Sequence, residues 1–236
     1  MSFLRRLDDR LKNIQLLIYP HRCLLCGRPG DAADLCPACY ADLPWLRHAC
    51  LHCGAPLPET ALSCGECMQE PPPWDASIIP LRYQAPLDGL ILSLKFERRL
   101  AVAPLLGSLM ARAVLVRGEP LPDALLPVPM HPRRLRERGF NQAQELAREL
   151  AAQLHLPILN GVVKRARNTV MQSRLDGKAR RSNLRDAFAL TGVELPGRVA
   201  IIDDVVTTGT TVAELAKALR QGGVQRIEVW ACAKAG

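Results

Sequence analysis

The sequence predicts an α/β protein with helices on both faces of a parallel sheet, preceded by a small cysteine-rich domain. Short apolar runs at 124–128, 199–202 and 227–231 alternate with segments of helical periodicity, an order typical of parallel sheets. Eight of the nine cysteines lie between Cys23 and Cys67. Glu70 and the three prolines after it predict a linker. We therefore expect three parts, listed in chain order: an amphipathic helix at 1–20, the cysteine-rich domain at 21–70 and the α/β domain at 74–236.

The helices follow from the spacing of apolar residues. Leucines and alanines recur every three or four positions in 86–95, from Val102 to about Ala113, and from Asn141 to Leu154, which predicts three helices. No apolar run approaches the roughly 18 residues that span a bilayer, and no secretory signal is evident. We therefore expect no integral membrane segment and a cytoplasmic location. The leading helix is expected to dock on its own protein, with a membrane surface as the alternative.

The cysteines form four Cys-x-x-Cys pairs that repeat after 27 or 28 positions. Tetrahedral zinc takes four thiolates, and each such pair presents two from one tight turn, so the repeat predicts two structural zinc ribbons. A disulfide framework would suit a secreted protein, and nothing marks this chain as one. Spacing alone leaves a cross-braced pairing open. The expected ligands are Cys23, Cys26, Cys36 and Cys39 for one ion, and Cys50, Cys53, Cys64 and Cys67 for the other.

The stretch 199–211 predicts an anion site. Val199–Ile202 form a buried strand, Asp203 and Asp204 follow it, and a loop rich in threonine and glycine opens a helix that Thr211 is expected to cap, with Glu214 completing a capping box. Free N–H groups and the positive end of the helix dipole favour an anion at this loop. Walker A and dinucleotide fingerprints are absent from the sequence.

This motif resembles the phosphoribosyl pyrophosphate (PRPP) signature of type I phosphoribosyltransferases. The resemblance implies a type I phosphoribosyltransferase-like sheet, with Asp203 and Asp204 as the catalytic pair that holds the ribose hydroxyls, and Mg²⁺ bound together with PRPP. It implies that the 5-phosphate is bound by Thr207, Thr208, Gly209, Thr210 and Thr211.

Residues 128–142, Val-Pro-Met-His-Pro-Arg-Arg-Leu-Arg-Glu-Arg-Gly-Phe-Asn-Gln, are similar to the hallmark of the ComF (competence protein F) family, which also includes GntX-like proteins. A later pattern, which includes Lys164-Arg165 and Asn183, agrees with it, and that family carries a cysteine-rich zinc module before its phosphoribosyltransferase-like domain. The resemblance places Val128, Pro129 and Arg133 near the pyrophosphate. It places Arg165 in a segment, 164–185, that corresponds to the mobile loop over the site.

The charge of the chain predicts anionic partners. The formal net charge is +8, and arginine and lysine concentrate in 131–141 and 164–185. The expected ligand is PRPP or another ribose 5-phosphate compound, with transfer of the phosphoribosyl group to an acceptor that the sequence does not identify. The alternative from the resemblance is a non-catalytic protein of competence that binds single-stranded DNA and meets DNA-uptake proteins. Such binding would rest on phosphate contacts and depend on salt.

Overall fold

The computed structural model describes residues 21–30, 34–165 and 188–236. The chain divides into two compact units, Met1–Leu43 and Pro44–Gly236. The second cysteine repeat and the predicted linker at 70–73 both lie inside the second unit. The helix predicted at 1–20 and most of the basic segment 164–185 lie outside the described residues, and the three-part division of the chain stays a prediction.

The described part of the first unit contains the first cysteine repeat, which consists of a tight turn and a short helix. Arg22 and Pro29 form an antiparallel bridge, and Cys23 N–H donates to Arg28 O at 2.8 Å, which closes the first turn. Gly27 in that turn has a φ of +73°, a conformation that glycine adopts without a steric penalty. Helix α1 (Pro37–Ala41) follows, with Cys36 at its N-cap.

The second unit begins by repeating this path. Ala49 and Pro56 form the equivalent bridge, and Cys50 N–H donates to Ala55 O at 2.8 Å. Helix α2 (Gly65–Gln69) again has a cysteine, Cys64, at its N-cap. The repeat in the sequence is therefore a repeat in structure.

The core of the second unit is a parallel sheet. Its strands are β1 (Ala76–Ile78), β2 (Leu81–Arg82), β3 (Ala124–Pro127), β6 (Arg198–Val206) and β7 (Arg226–Lys234), while β4 (Val163–Arg165) and β5 (Phe188–Leu190) form a separate antiparallel pair. The order across the sheet is β1, β7, β6, β3. Strand β2 also pairs with β7, so β1 and β2 form one interrupted edge strand.

Helices cover both faces of the sheet, as predicted. They are α3 (Leu87–Phe96), α4 (Val102–Arg117), α5 (Pro132–Arg138), α6 (Gln142–Leu154) and α7 (Thr210–Gln221). Val199 and Ile201 of β6 share a buried cluster with the apolar side of α7. Ala200 and Ile202 point to the opposite face, because side chains alternate along a strand, and they are equally buried. Helices α4 and α6 pack together and against the sheet.

The second ribbon covers the β1–β2 edge of the sheet. Ser77 N–H of β1 donates to Leu51 O at 2.7 Å, and Leu46 N–H donates to Pro80 O at 2.8 Å. The indole Nε1 of Trp74 donates to His52 O at 2.6 Å. Backbone groups that an edge strand would leave unpaired are therefore bonded to the segment that carries the cysteines.

Candidate functional site

The two predicted acids, Asp203 and Asp204, lie where β6 extends beyond the end of β3. The β3–β6 ladder ends at the pair Pro127–Ile202, and Val128 N–H donates to Ile202 O at 2.9 Å just beyond it. Strand β6 continues to Val206, because β7 runs alongside it and supplies partners on the other side. Asp203 and Asp204 therefore lie inside the strand rather than after it. On the side of β3, they lie beyond the last pair of the β3–β6 ladder.

The chain changes direction at this point of the sheet. From β3 it passes through α5 and α6 to residues 157–159, which bond to Leu125 on the side away from β6. From β6 it passes through α7 to β7 on the other side. Ligands of parallel α/β sheets bind outside the carboxyl ends of the strands where the connections diverge in this way. The acids therefore occupy the position at which the topology favours a ligand.

Lys95 of α3 faces this acidic pair. Its Nζ forms an ion pair with Asp204 Oδ2 at 2.5 Å, and within the described residues this buried oxygen makes no other polar contact. Asp203 Oδ1 accepts a hydrogen bond from the Asp204 N–H at 2.9 Å. Burial, followed by the adjacent Asp204 carboxylate, raises the pKa of Asp203 well above its usual value. The two neighbouring acids are thus an electrostatically costly arrangement that Lys95 partly balances.

The loop after the acids leads into α7. Gly209 is the N-cap with a φ of +70°, and no side chain caps the helix. The predicted capping box of Thr211 and Glu214 is therefore wrong: the helix begins at Thr210, and Glu214 Oε1 instead accepts from Lys217 Nζ at 2.9 Å. Without a side-chain cap, the first turn keeps N–H donors that an anion can use.

The loop at 207–209 is contacted by Lys234 at the end of β7 and by Trp74 before β1. Thr207 and Thr208 are exposed, while Lys234 Nζ at the end of β7 donates to Thr207 O. Gly209 is buried, and a Cβ built on it would lie 3.1 Å from Cη2 of Trp74. Close packing and the left-handed backbone therefore both call for glycine at this position.

The other predicted phosphate residues have different positions. Val128 lies beside Ile202, the residue before the acids, and is followed by Pro129, while Asn141 Nδ2 donates to Val128 O at 3.0 Å. Arg133 is exposed and pairs with Glu137, with Nε 3.2 Å from Oε1. Arg165 is the last residue of β4. The structure thus brings Val128 and Pro129 next to the acids.

A basic pocket of about 410 Å³ opens next to the acids. Lys95 connects the pocket to the acidic pair, since it lines the pocket and contacts Asp204. Burial lowers the pKa of the Arg138 guanidinium, the Asp204 charge opposes this effect, and neighbouring Arg134 adds to it. Sequence analysis missed the contribution of α3, because nothing in the local pattern of 95–98 links it to the arginines of α5. The lining residues are Lys95, Phe96, Arg98, Arg134, Glu137 and Arg138.

The cysteines form two separate clusters of four. Within each cluster the Sγ atoms all lie within 4.8 Å of one another, and the grouping follows the chain order rather than the cross-braced alternative. Cys26 and Cys36 Sγ are 3.7 Å apart, and Cys53 and Cys64 Sγ are 3.6 Å apart. Tetrahedral ligands at a Zn–S distance of about 2.3 Å lie about 3.8 Å apart. Both clusters therefore fit zinc as Cys₄ sites.

In each cluster the backbone favours the thiolate at one cysteine, while the neighbouring thiols raise the pKa of Cys39, and burial raises the pKa of Cys53 and Cys67. Burial raises the pKa of the Cys23 thiol, but backbone N–H donors of Cys36, Cys26 and Leu25 outweigh it and lower the pKa to about 6. The same balance of burial against backbone donors lowers the pKa of Cys50 to about 6. The thiolate is the form that binds metal. A zinc ion held in this way has no open position and stabilises the fold.

These features define an α/β protein with two adjacent acids in β6, just beyond the end of β3, and a Cys₄ double zinc ribbon. Residues 14–68 match the family model of the double zinc ribbon domain. The chain is 39% identical to competence protein F of Haemophilus influenzae over 92% of this chain and 98% of that protein. It is 39% identical to the DNA utilization protein YhgH of Escherichia coli K12 over 91% and 97%. The chain belongs to the ComF (competence protein F) family.

Two further comparisons are more distant. Competence protein ComFC of Streptococcus pneumoniae is 30% identical over 44% of either chain. Among solved structures, adenine phosphoribosyltransferase of Leishmania donovani aligns with 59% of this chain and 68% of that chain, at 15% identity and a TM-score of 0.29. Within the ranges that the structure describes, no helix combines the length and apolarity needed to cross a membrane.

Proposed function

We propose that this protein binds PRPP, or another ribose 5-phosphate compound, at Asp203 and Asp204 of β6, beyond the end of β3. The observation that carries the proposal is the buried Asp204 carboxylate, which is balanced by Lys95 and lies beside a second carboxylate where the sheet connections diverge. Paired ribose hydroxyls would donate to Asp203 and Asp204. The phosphate would bind the uncapped first turn of α7, over Thr207–Thr211, without any lysine from the loop itself.

The acidic pair also suits a Mg²⁺–PRPP complex. Mg²⁺ prefers oxygen ligands and keeps contacts to phosphates and hydroxyls, so two carboxylates at the ribose are a compatible donor set. The ion would supply charge neutralisation for the pyrophosphate. Lys95, whose amino group contacts Asp204, would give up part of this contact as the sugar arrives.

Phosphoribosyl transfer is the reaction that such a complex would allow. A leaving pyrophosphate carries high negative charge, and fixed cations beside the sugar would stabilise it as it forms. Lys95 and Arg138 are near the acids, and Val128 and Pro129 border them. Arg165 and the segment 164–185 would cover the site. The acceptor is the substrate that this proposal leaves to experiment.

Calorimetry on the zinc-loaded protein tests the binding step. We expect uptake of PRPP with Mg²⁺, and weaker uptake of ribose 5-phosphate, both lost in Asp203→Ala/Asp204→Ala. Glu194→Gln is the matched control, since Glu194 is exposed and outside the site. Failure of the unmodified protein to bind either sugar phosphate would refute the proposal. Pyrophosphate release across a panel of acceptor bases then tests transfer.

The second candidate is a single-stranded DNA-binding role in DNA uptake. The names of the two relatives that match over nearly their whole length, competence protein F and DNA utilization protein YhgH, support it. The net charge of +8 is the property of this chain that favours it. Salt-sensitive binding of single-stranded DNA, with pyrophosphate release absent for every acceptor, would favour this candidate and leave DNA-uptake proteins as the partners to seek.

A further inference from the structure

The basic pocket joins two segments that are distant in sequence. Lys95, Phe96 and Arg98 come from the end of α3 and the turn after it. The other lining residues, Arg134, Glu137 and Arg138, lie on α5. Four cations therefore surround about 410 Å³ together with a single acid.

The charges of this pocket are only partly balanced. Lys95 is held by Asp204, and Glu137 is paired with Arg133, which does not line the pocket. The other three guanidinium groups form no ion pair with an acid among the residues described: Arg98, Arg134 and Arg138. Arg98 instead donates to Glu137 O at 3.5 Å. Three arginines that face one cavity without carboxylate partners favour a ligand of more than one negative charge, and guanidinium groups bind phosphate in a bidentate manner.

Phe96 gives the pocket a flat apolar wall. The side chain is 69% exposed although it lies among cations. Arg138 Cζ lies over one face of the ring, 5.2 Å from its centroid, in a cation–π contact that leaves the other face for a base. Most of the ring stays open to a ligand. Exposed aromatic rings between cations are stacking platforms for bases, because every base has a π face.

We propose that this pocket binds a nucleotide, with its base stacked on Phe96 and its phosphate held by Arg98 and Arg134. A bare phosphate would leave the ring unused, and a neutral base would leave the arginines unbalanced. The pocket shares Lys95 and Arg138 with the proposed sugar site, whereas Phe96, Arg98 and Arg134 belong to the pocket alone. The ligand is a free nucleotide or one residue of a single strand. The latter source rests on the second candidate function.

Binding to the full-length zinc-loaded protein tests this proposal. The probes are a short oligothymidylate, an abasic oligomer of the same length, free thymidine monophosphate and inorganic pyrophosphate. Phe96→Leu should lower the affinity for the oligothymidylate and for the monophosphate roughly tenfold, and leave the affinity for the abasic oligomer and for pyrophosphate unchanged. The matched control is Leu92→Ala, because Leu92 is exposed on the same helix and does not line the pocket.

The phosphate contacts have their own variant. Arg134→Gln should lower the affinity for all four probes. For the oligomer, the slope of the logarithm of the affinity against the logarithm of the salt concentration should fall in magnitude by about 0.7. Arg136 is an exposed neighbour outside the pocket, so Arg136→Gln should change neither the affinities for the probes nor the salt slope. Equal effects of the two arginine variants, or equal weakening of abasic and base-carrying oligomers by Phe96→Leu, would overturn the proposal.

Two outcomes separate this proposal from the proposed functions. Phe96-dependent binding of the monophosphate without binding of the oligomer would support the pocket and identify free nucleotides as its ligands, against the DNA role. Nucleotide binding that depends on Phe96, in a protein that takes up neither PRPP nor ribose 5-phosphate, would support the pocket and refute the sugar site.

Discussion

Asparagine substitutions at the two adjacent acids are expected to shift stability in opposite directions. In Asp203→Asn the side-chain oxygen can still accept the Asp204 N–H, now 2.9 Å from Oδ1, and one of two neighbouring charges is gone. In Asp204→Asn the charge that faces Lys95 is lost, although the volume is almost the same. The same chemical change thus relieves repulsion at one position and breaks an attraction at the next.

The sign of the effect at Asp203 follows from its pKa. Because the folded-state pKa of Asp203 is raised, ionisation opposes folding, and stability is lost as the pH rises from the unfolded-state value of about 3.9 through the folded-state value. Each unit of such a shift corresponds to about 1.4 kcal/mol. We expect Asp203→Asn to stabilise the protein on the order of 1 kcal/mol at pH 8 and less at pH 5. In a unit of this size that raises Tm by about 2–4 °C.

The loss at Asp204 follows from its ion pair. The Lys95 side chain is 20% exposed and that of Asp204 is 10% exposed. Breaking a buried pair by removing one partner costs about 3–5 kcal/mol, and water can reach part of this lysine, so we expect a loss of about 1–2 kcal/mol. Lys95→Met together with Asp204→Asn should recover part of that loss, because no buried charge is then left alone.

Denaturant unfolding followed by tryptophan fluorescence is the assay. All three tryptophans, Trp45, Trp74 and Trp230, lie in the second unit, so the signal reports on the sheet. Measurements at pH 5 and pH 8 separate the charge effect from other causes. Destabilisation by Asp203→Asn, or a gain of the same size at both pH values, would refute the electrostatic reasoning.

Two further predictions concern the metal clusters and the loop. Cys26→Ser/Cys36→Ser should leave one zinc per chain by metal analysis, since both belong to one cluster, whereas cross-braced sites would lose both ions. Gly209→Ala should cost about 1–2 kcal/mol through its positive φ, and more because the new Cβ meets an indole ring. Gly223→Ala, with a φ of +90° and open space around it, is the control, and an equal cost at the two glycines would show that the ring contact is unimportant.

Much of the fold could be predicted from local patterns. The helix expected from Asn141 forms over Gln142–Leu154, because Asn141 Oδ1 accepts the Ala143 N–H and one side of the helix is apolar. The strand expected at 199–202 was too short, since its extension to Val206 depends on pairing with β7. Strand β1 is three residues long, and its pairing with β7 has no local signal.

The candidate site was predictable only where it is continuous in sequence. The acids, the loop and the cysteine clusters each occupy one stretch or one repeat, and the structure keeps them together. Lys95 and Phe96 meet Asp204 and Arg138 only through packing of α3 beside β6 and α5, which no spacing rule describes. The capping box was wrong because two start positions for α7 compete, and the left-handed Gly209 decides between them.

The ribbon that borders β1 makes zinc supply a determinant of self-association. If chelation or oxidation emptied the second cluster, Leu51 and its neighbours would lose their anchorage, and the Ser77 amide would be released. The β1–β2 edge of the sheet would then offer free hydrogen-bond donors and acceptors to another chain, which is a known route to intermolecular strand addition. Zinc-starved cells should therefore accumulate this protein as insoluble material.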